Sequence, residues 1–170
     1  MARESGSERR PLSRASFERA IAAGDTILLD TSVVIAYLDR SARTSEIAAH
    51  LLDLLVATGR NPAMVSAVTV TEVLVRPAQT GDVAHRAAAL GFLRHFPGMT
   101  VRDVDFAVAD QAATLRGRFR LGTPDALVVA TGMVAGVATI VSNDQAWPRL
   151  PASAIGAKVV LLDDHLPFTA

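Results

Sequence analysis

The sequence predicts an α/β/α sandwich, a central and mainly parallel sheet with helices on both faces. Three observations predict it. Short apolar runs suited to buried strands recur along the chain, from Ile27-Leu28-Leu29 through "AMVSAV" and "VATIVS" to "KVVLL". Segments with apolar positions at helical spacing separate them, and strands covered by crossover helices read as continuous apolar runs. Half of the 170 residues are hydrophobic, which is enough to fill one sizeable core.

The elements follow in order. Residues 1–25 are expected to form an N-terminal extension, and 26–170 the domain proper. The polar start "MARESGSERRPLSR" reads as a tail to about residue 12. "SRASFERAIAAGD" then places Phe17, Ala20 and Ile21 at helical spacing, with Gly24 as a stop. This helix either packs on the domain or, with Arg9, Arg10 and Arg14, forms an arm that contacts RNA. Residues 26–30 are the first strand, and a helix follows to about 38. Ile47, Leu51, Leu54 and Leu55 form the stripe of a second helix over 45–57. "AMVSAV" ends as a strand near Ser66, and the next helix passes Glu72 to about Val75, before the turn "RPAQTGD". Residues 83–95 are helical and "MTVRDV" is a strand. Asp105 caps a helix reaching Phe119. "TPDALVVATGMVAG" starts a helix with Thr123 as its cap and Pro124 at its first position. "VATIVS" and "KVVLL" complete the strands.

Composition excludes several classes of function. There is no cysteine, so disulfides, zinc–thiolate sites and thiol nucleophiles are ruled out. Seventeen acidic and seventeen basic residues balance, so no overall positive field marks a nucleic-acid binder. No signal-peptide core is present and no run approaches the ~20 apolar residues that span a bilayer, so a soluble, cytoplasmic protein without a membrane partner is expected. Neither G-x-G-x-x-G nor G-x-x-x-x-G-K-[ST] occurs, which removes nucleotide-cofactor readings. The four histidines, at 50, 85, 95 and 165, form no metal spacing with one another. Packing or surface roles are expected for them.

In parallel α/β sheets the ligand site lies beyond the carboxyl ends of the strands. Four acids fall there. Asp30 ends the first strand, Glu72 lies in the helix entered from the second, Asp125 stands in the first turn after Thr123 and Pro124, and Asp144 follows "ATIVSN". Each has a simpler reading alone: Asp30 as a helix cap, Glu72 as the capping-box partner of Thr69, Asp125 as a helix-dipole acid, Asp144 as a turn residue. Together they would repel and raise one another's pKa. Mg²⁺ or Mn²⁺, one ion or two, would relieve that conflict, since hard cations prefer carboxylate and water oxygens. Ser32 and Ser142 add hydroxyls around the acids. Arg116, Arg118 and Arg120 stand upstream of Asp125, either to contact RNA phosphates or to favour the end of their helix. Trp147 and Phe168 are read as packing residues, with base stacking as the alternative.

"LLDTSVVIAYLD", "VSAVTVTEVLVRP", "LRGRFRLGTPDALVVATG" and "TIVSNDQAW" resemble successive motifs of the PIN-domain family, particularly VapC-type toxins of toxin–antitoxin systems. The resemblance spans about residues 26–163. It implies a Mg²⁺/Mn²⁺-dependent ribonuclease whose metal ligands fall on Asp30, Glu72, Asp125 and Asp144, with Glu72 acting directly or through water. It further implies an RNA substrate, a homodimer and a small cognate antitoxin over the acidic pocket. Ser142 stands where the family often has Thr, and it keeps the hydroxyl. Rival readings are a haloacid-dehalogenase-like phosphatase, a phosphoreceiver-like module and a PIN fold that only binds. The first needs a second acid where Ser32 stands. The second needs a lysine after a strand end, whereas Lys158 precedes one. The third is opposed by the presence of all four acids.

Overall fold

Ile27, Leu28 and Leu29 are wholly buried and form β1 (Ile27–Leu29) at the centre of the sheet. The computed structural model describes residues 14–167. Within them β2 (Ala63–Ser66), β3 (Met99–Arg102), β4 (Thr139–Ser142) and β5 (Lys158–Leu161) complete one sheet in the order β3-β2-β1-β4-β5. Every neighbouring pair is parallel, with Leu28 opposite Met64 on one side and Ile140 on the other. The mainly parallel sheet expected from the apolar runs is therefore parallel throughout.

Successive strand residues point to opposite faces, and this splits the core into two layers. Ile27 and Leu29 pack with α2 (Thr31–Leu38), α3 (Ser45–Ala49), α4 (Ala67–Thr80) and α5 (Val83–His95). Leu28 and Ile140 pack with α6 (Phe106–Phe119), α7 (Thr123–Ala135) and α8 (Ala152–Ile155) on the other face. Gly132 sets how closely α7 approaches: a Cβ there would lie 3.0 Å from Leu28 Cδ2 and 3.1 Å from Val137 Cγ2. That proximity seats the later part of α7 closely on the central strand.

α1 (Arg14–Ala20) is seated in the first layer. Phe17 and Ile21 are wholly buried. Arg60 Nη2 donates to the carbonyls of Glu18 and Ile21 at 3.1 and 3.2 Å. Asn61 Nδ2 donates to those of Ala22 and Asp25 at 2.7 and 3.0 Å. The Phe17 ring meets the His165 ring edge-on at 5.1 Å, and His50 Nε2 lies 2.8 Å from Glu18 Oε1. The packing alternative for this helix is realised in its side chains; Arg9 and Arg10 lie outside the described residues.

Three local expectations need correction. The helix predicted over 45–57 widens after Ala49 into a π-helical stretch, His50–Val56, where Ala57 N reaches back to Leu52 O at 2.8 Å. An apolar stripe over so few turns cannot distinguish the two pitches. α4 runs past Val75 and carries Pro77 inside it. Pro77 sits in the final turn, where it removes one backbone donor, and Gly81 (φ 68°) closes the helix with its N–H on Pro77 O. In α7 the cap position belongs to Gly122, and Thr123 is already helical.

Candidate active site

Asp30 extends the pairing of β1, its N–H donating to Val141 O at 2.9 Å, and then turns the chain into α2 as its N-cap. Its Oδ1 accepts from Thr31 N at 2.8 Å. Its Oδ2 accepts from Ser32 Oγ at 2.6 Å and Ser142 Oγ at 2.8 Å. The residue is only 7% exposed. Three donors hold this buried carboxylate, and among the described residues no arginine, lysine or histidine pairs with it. The helix-cap reading and the site reading of Asp30 thus describe different oxygens of one side chain.

Glu72 projects from α4 toward the same place. Its Oε2 accepts from Thr31 Oγ1 at 2.5 Å, and Thr69 Oγ1 lies 3.0 Å from the Thr31 hydroxyl. The N-cap of α4 is Ser66, which accepts from Val68 N at 3.3 Å, so Glu72 is not the acid of a capping box built on Thr69. Asp144 begins the turn after β4. Its N–H donates to Ser142 Oγ at 2.9 Å, and its Oδ1 accepts from Ala146 N at 2.8 Å. Ser142 therefore joins Asp30 to Asp144 through one hydroxyl.

Asp125 lies in the first turn of α7, where the helix dipole favours a carboxylate. Its pKa is nevertheless raised, first by burial and then by the charges of Asp144, Asp30 and Glu72. Asp30, Glu72 and Asp144, from three other segments, thus lie within electrostatic range of Asp125. Among the described residues no three acids or imidazoles are drawn together as tightly as a closed metal shell.

A family model described as the PIN domain matches residues 27–153. The chain belongs to the PIN-domain family. Solved structures share its fold at low identity. A chain of the VapBC2 complex of Rickettsia felis, bound to promoter DNA, is 15% identical with a TM-score of 0.61, covering 80% of this PIN protein and 98% of its own length. A chain of FitAcB from Neisseria gonorrhoeae is 22% identical with a TM-score of 0.60, covering 79% and 96%. VapC20 of Mycobacterium tuberculosis, a sarcin–ricin loop cleaving toxin, is 19% identical with a TM-score of 0.56, covering 68% and 87%. No curated protein matches the sequence.

The remaining predicted residues of this PIN domain fall as follows. Arg116 and Arg118 occupy the last turn of α6, and Arg120 is its left-handed cap at φ 57°. All three are exposed, and Arg118 lies over the Phe119 ring at 5.2 Å. Trp147 is buried at 1% exposure in the second core layer, in agreement with its packing reading; Phe168 lies outside the described residues. His50 is buried beside Glu18, whereas His85 is exposed and bonded to Asp82. Sequence reasoning gave Thr69 only a capping role, whereas it bonds Thr31, and it missed Asn143. Asn143 N donates to Ser32 Oγ at 2.9 Å, and Asn143 Nδ2 donates to Thr44 Oγ1 at 2.9 Å. Its place between Ser142 and Asp144 was the available signal.

Proposed function

We propose that this PIN-domain protein is a metal-dependent endoribonuclease and the toxin of a toxin–antitoxin pair. The observation that supports the reading is geometric: Ser142 Oγ joins Asp30 to Asp144 and Thr31 Oγ1 holds Glu72 beside them, while burial, and then the charges of Asp144, Asp30 and Glu72, raise the pKa of Asp125. Together these features support the reading of one acidic centre assembled from four separate segments. Asp30, Asp125 and Asp144 would hold the cation directly, and Glu72 directly or through water. When bound, a divalent ion acidifies water and neutralises phosphate charge. The chain's own groups orient the reaction. Thr31, Ser32 and Ser142 fix the rotamers of Glu72 and Asp30 through the short bonds given above. Glu72 stands ready to orient the attacking water or accept its proton. Hydrolysis adds that water's oxygen to phosphorus, and the departing ribose oxygen takes up a proton.

The fold neighbours from VapBC complexes support a cognate antitoxin as partner. On this reading a basic side chain of the antitoxin enters the carboxylate pocket, where desolvation strengthens the pairing, and the toxin is a cytoplasmic homodimer. On this reading residues 1–25 are appended in sequence to a PIN domain of 26–170, with α1 packed into its first core layer.

The test is RNA cleavage with Mg²⁺ or Mn²⁺. Asp30→Asn, Asp125→Asn and Asp144→Asn should each reduce cleavage by ~100-fold or more while the protein stays folded. Pairs of these changes should cost little more than one, since the acids act as a unit. Near-full activity of the Asp144→Asn protein would exclude this site. Equal growth of bacteria expressing wild-type and Asp30→Asn protein at matched levels would remove the case for a toxin.

A further inference from the structure

Residues 39–44 connect α2 to α3, and one end of this connection is fastened to the acidic rim. Ser32 Oγ donates to Asp30 Oδ2 at 2.6 Å, Asn143 N donates to Ser32 Oγ at 2.9 Å, and Asn143 Nδ2 donates to Thr44 Oγ1 at 2.9 Å. Three hydrogen bonds therefore lead from Asp30 to the loop. Arg43, the residue before Thr44, places Nη2 3.5 Å from Asp163 Oδ1. Asp163 follows β5, and its neighbour Leu162 donates N–H to Ser142 O at 3.0 Å, level with the end of β4. The Arg43 guanidinium thus stands at the carboxyl rim of the sheet on the β4–β5 side, the side of Asp144.

This cation is available to a ligand. The Arg43 side chain is 76% exposed, and its long contact with Asp163 is of the screened kind that contributes little. Arg40, in the same loop, lies instead over the Tyr37 ring at 5.8 Å. The loop itself is stiffened by Asp39 Oδ1, which accepts from Ser41 N at 3.0 Å and Ser41 Oγ at 2.7 Å. Asn143 Oδ1 is buried with no donor among the described residues. The bond to Thr44 is therefore the hold of this side chain on the loop.

Resting on the nuclease reading, we propose that Arg43 binds a backbone phosphate of the RNA beside the acids, and that Asn143 is the positioning residue that keeps it there through Thr44. A rim of four carboxylates repels a polyanion, so a substrate held across it needs a fixed cation close by. The planar guanidinium fork matches phosphate oxygens in a way a lysine ammonium does not. Neither residue holds the metal, so their loss acts on RNA binding more than on the chemical step.

Binding of the full chain to a single-stranded RNA oligonucleotide in EDTA, over a salt series, tests this, with cleavage kinetics in Mn²⁺ alongside. Arg43→Ala should weaken binding about tenfold and lower the log–log salt slope by ~0.7. It should raise KM and leave kcat within about twofold. Asn143→Ala should show the same pattern, add little to Arg43→Ala in the double variant, and speed amide hydrogen exchange in residues 40–44. Asp163→Asn should leave RNA binding unchanged or tighter. An unaltered salt slope in Arg43→Ala, or weakening by Asp163→Asn as large as by Arg43→Ala, would return Arg43 to a structural ion pair and overturn the proposal. Faster exchange in Asn143→Ala with unaltered RNA binding would remove the positioning role. Wild-type protein that binds no RNA would overturn the nuclease reading as well, whereas wild-type binding that Arg43→Ala leaves untouched overturns this inference alone.

Discussion

Asn61 and Asp30 are both buried polar residues beside the central strand, and they are satisfied in different ways. Asn61 is wholly buried and neutral; it donates to two backbone carbonyls at the end of the N-terminal segment and accepts from Arg60. Asp30 also has its oxygens occupied, by one N–H and two hydroxyls, yet its neighbours include Asp125, whose pKa it helps to raise. Closing the hydrogen bonds of a neutral amide completes the account, because nothing charged remains. Closing those of a carboxylate leaves a net charge, and three more acids nearby multiply it. The α1 seat is therefore a structural solution, while the acidic rim keeps its charge, which the proposed cation would offset.

The comparison sharpens most at Phe17. If the α1 seat is core, Phe17→Ala should lower the free energy of unfolding by about 3–5 kcal/mol, measured by denaturant titration. The metal-induced gain in stability should survive in that variant. A loss near zero would mean that α1 is merely laid on the domain, and the contrast between the two regions would fail.

The rim gives a smaller effect with the opposite sign. Asp125 has a raised folded pKa, so the folded apo protein holds this proton more tightly than the unfolded chain. The resulting stabilisation is full below the ordinary carboxylate pKa and is lost as pH rises through the raised folded value. Added Mn²⁺ at a hundredfold excess over its dissociation constant should restore about 2.7 kcal/mol near neutral pH. Asp125→Asn should be more stable than wild type in EDTA and gain less from the metal. Melting curves in EDTA and in Mn²⁺, at acidic and neutral pH, check this. A wild-type melting temperature indifferent to Mn²⁺ at millimolar concentration would break the rim into four unrelated acids.

The smallest expected effect lies at the α1 seat. Burial lowers the pKa of His165, with Asp164 opposing, and the ring packs on Phe17. A histidine with a lowered folded pKa contributes stability that is full above the ordinary imidazole value and is lost as pH falls through the folded one. Acidification should therefore destabilise the seat while it relieves the rim. His165→Gln should flatten the acid-side fall in stability, and an identical pH profile in that variant would remove His165 from the account.

The acids were legible in the sequence because they break a rule: Asp30 and Asp144 stand at the ends of apolar runs that predict buried strands. Glu72 and Asp125 were legible from the turns and helices next to them. The α1 seat was only half legible. Spacing marked Phe17 and Ile21 as one face, but nothing local to them points to Arg60, Asn61 or His165, which are distant in sequence. Asn143 was masked for a related reason, since an asparagine in a turn normally reads as a turn residue.

By itself the sequence determined the period of each element and hence the layered class, because continuous apolar runs and helical stripes are local properties. It also marked Asp30 and Asp144 as acids that follow strands. Tertiary structure alone decided the strand order, the contact of Gly132 with Leu28 that brings α7 over β1, and the raised pKa of Asp125. It also decided that Thr44 is tied to Asn143, ninety-nine residues away. Those depend on which surfaces meet, and a chain's local preferences do not specify the distance between groups that only packing brings together.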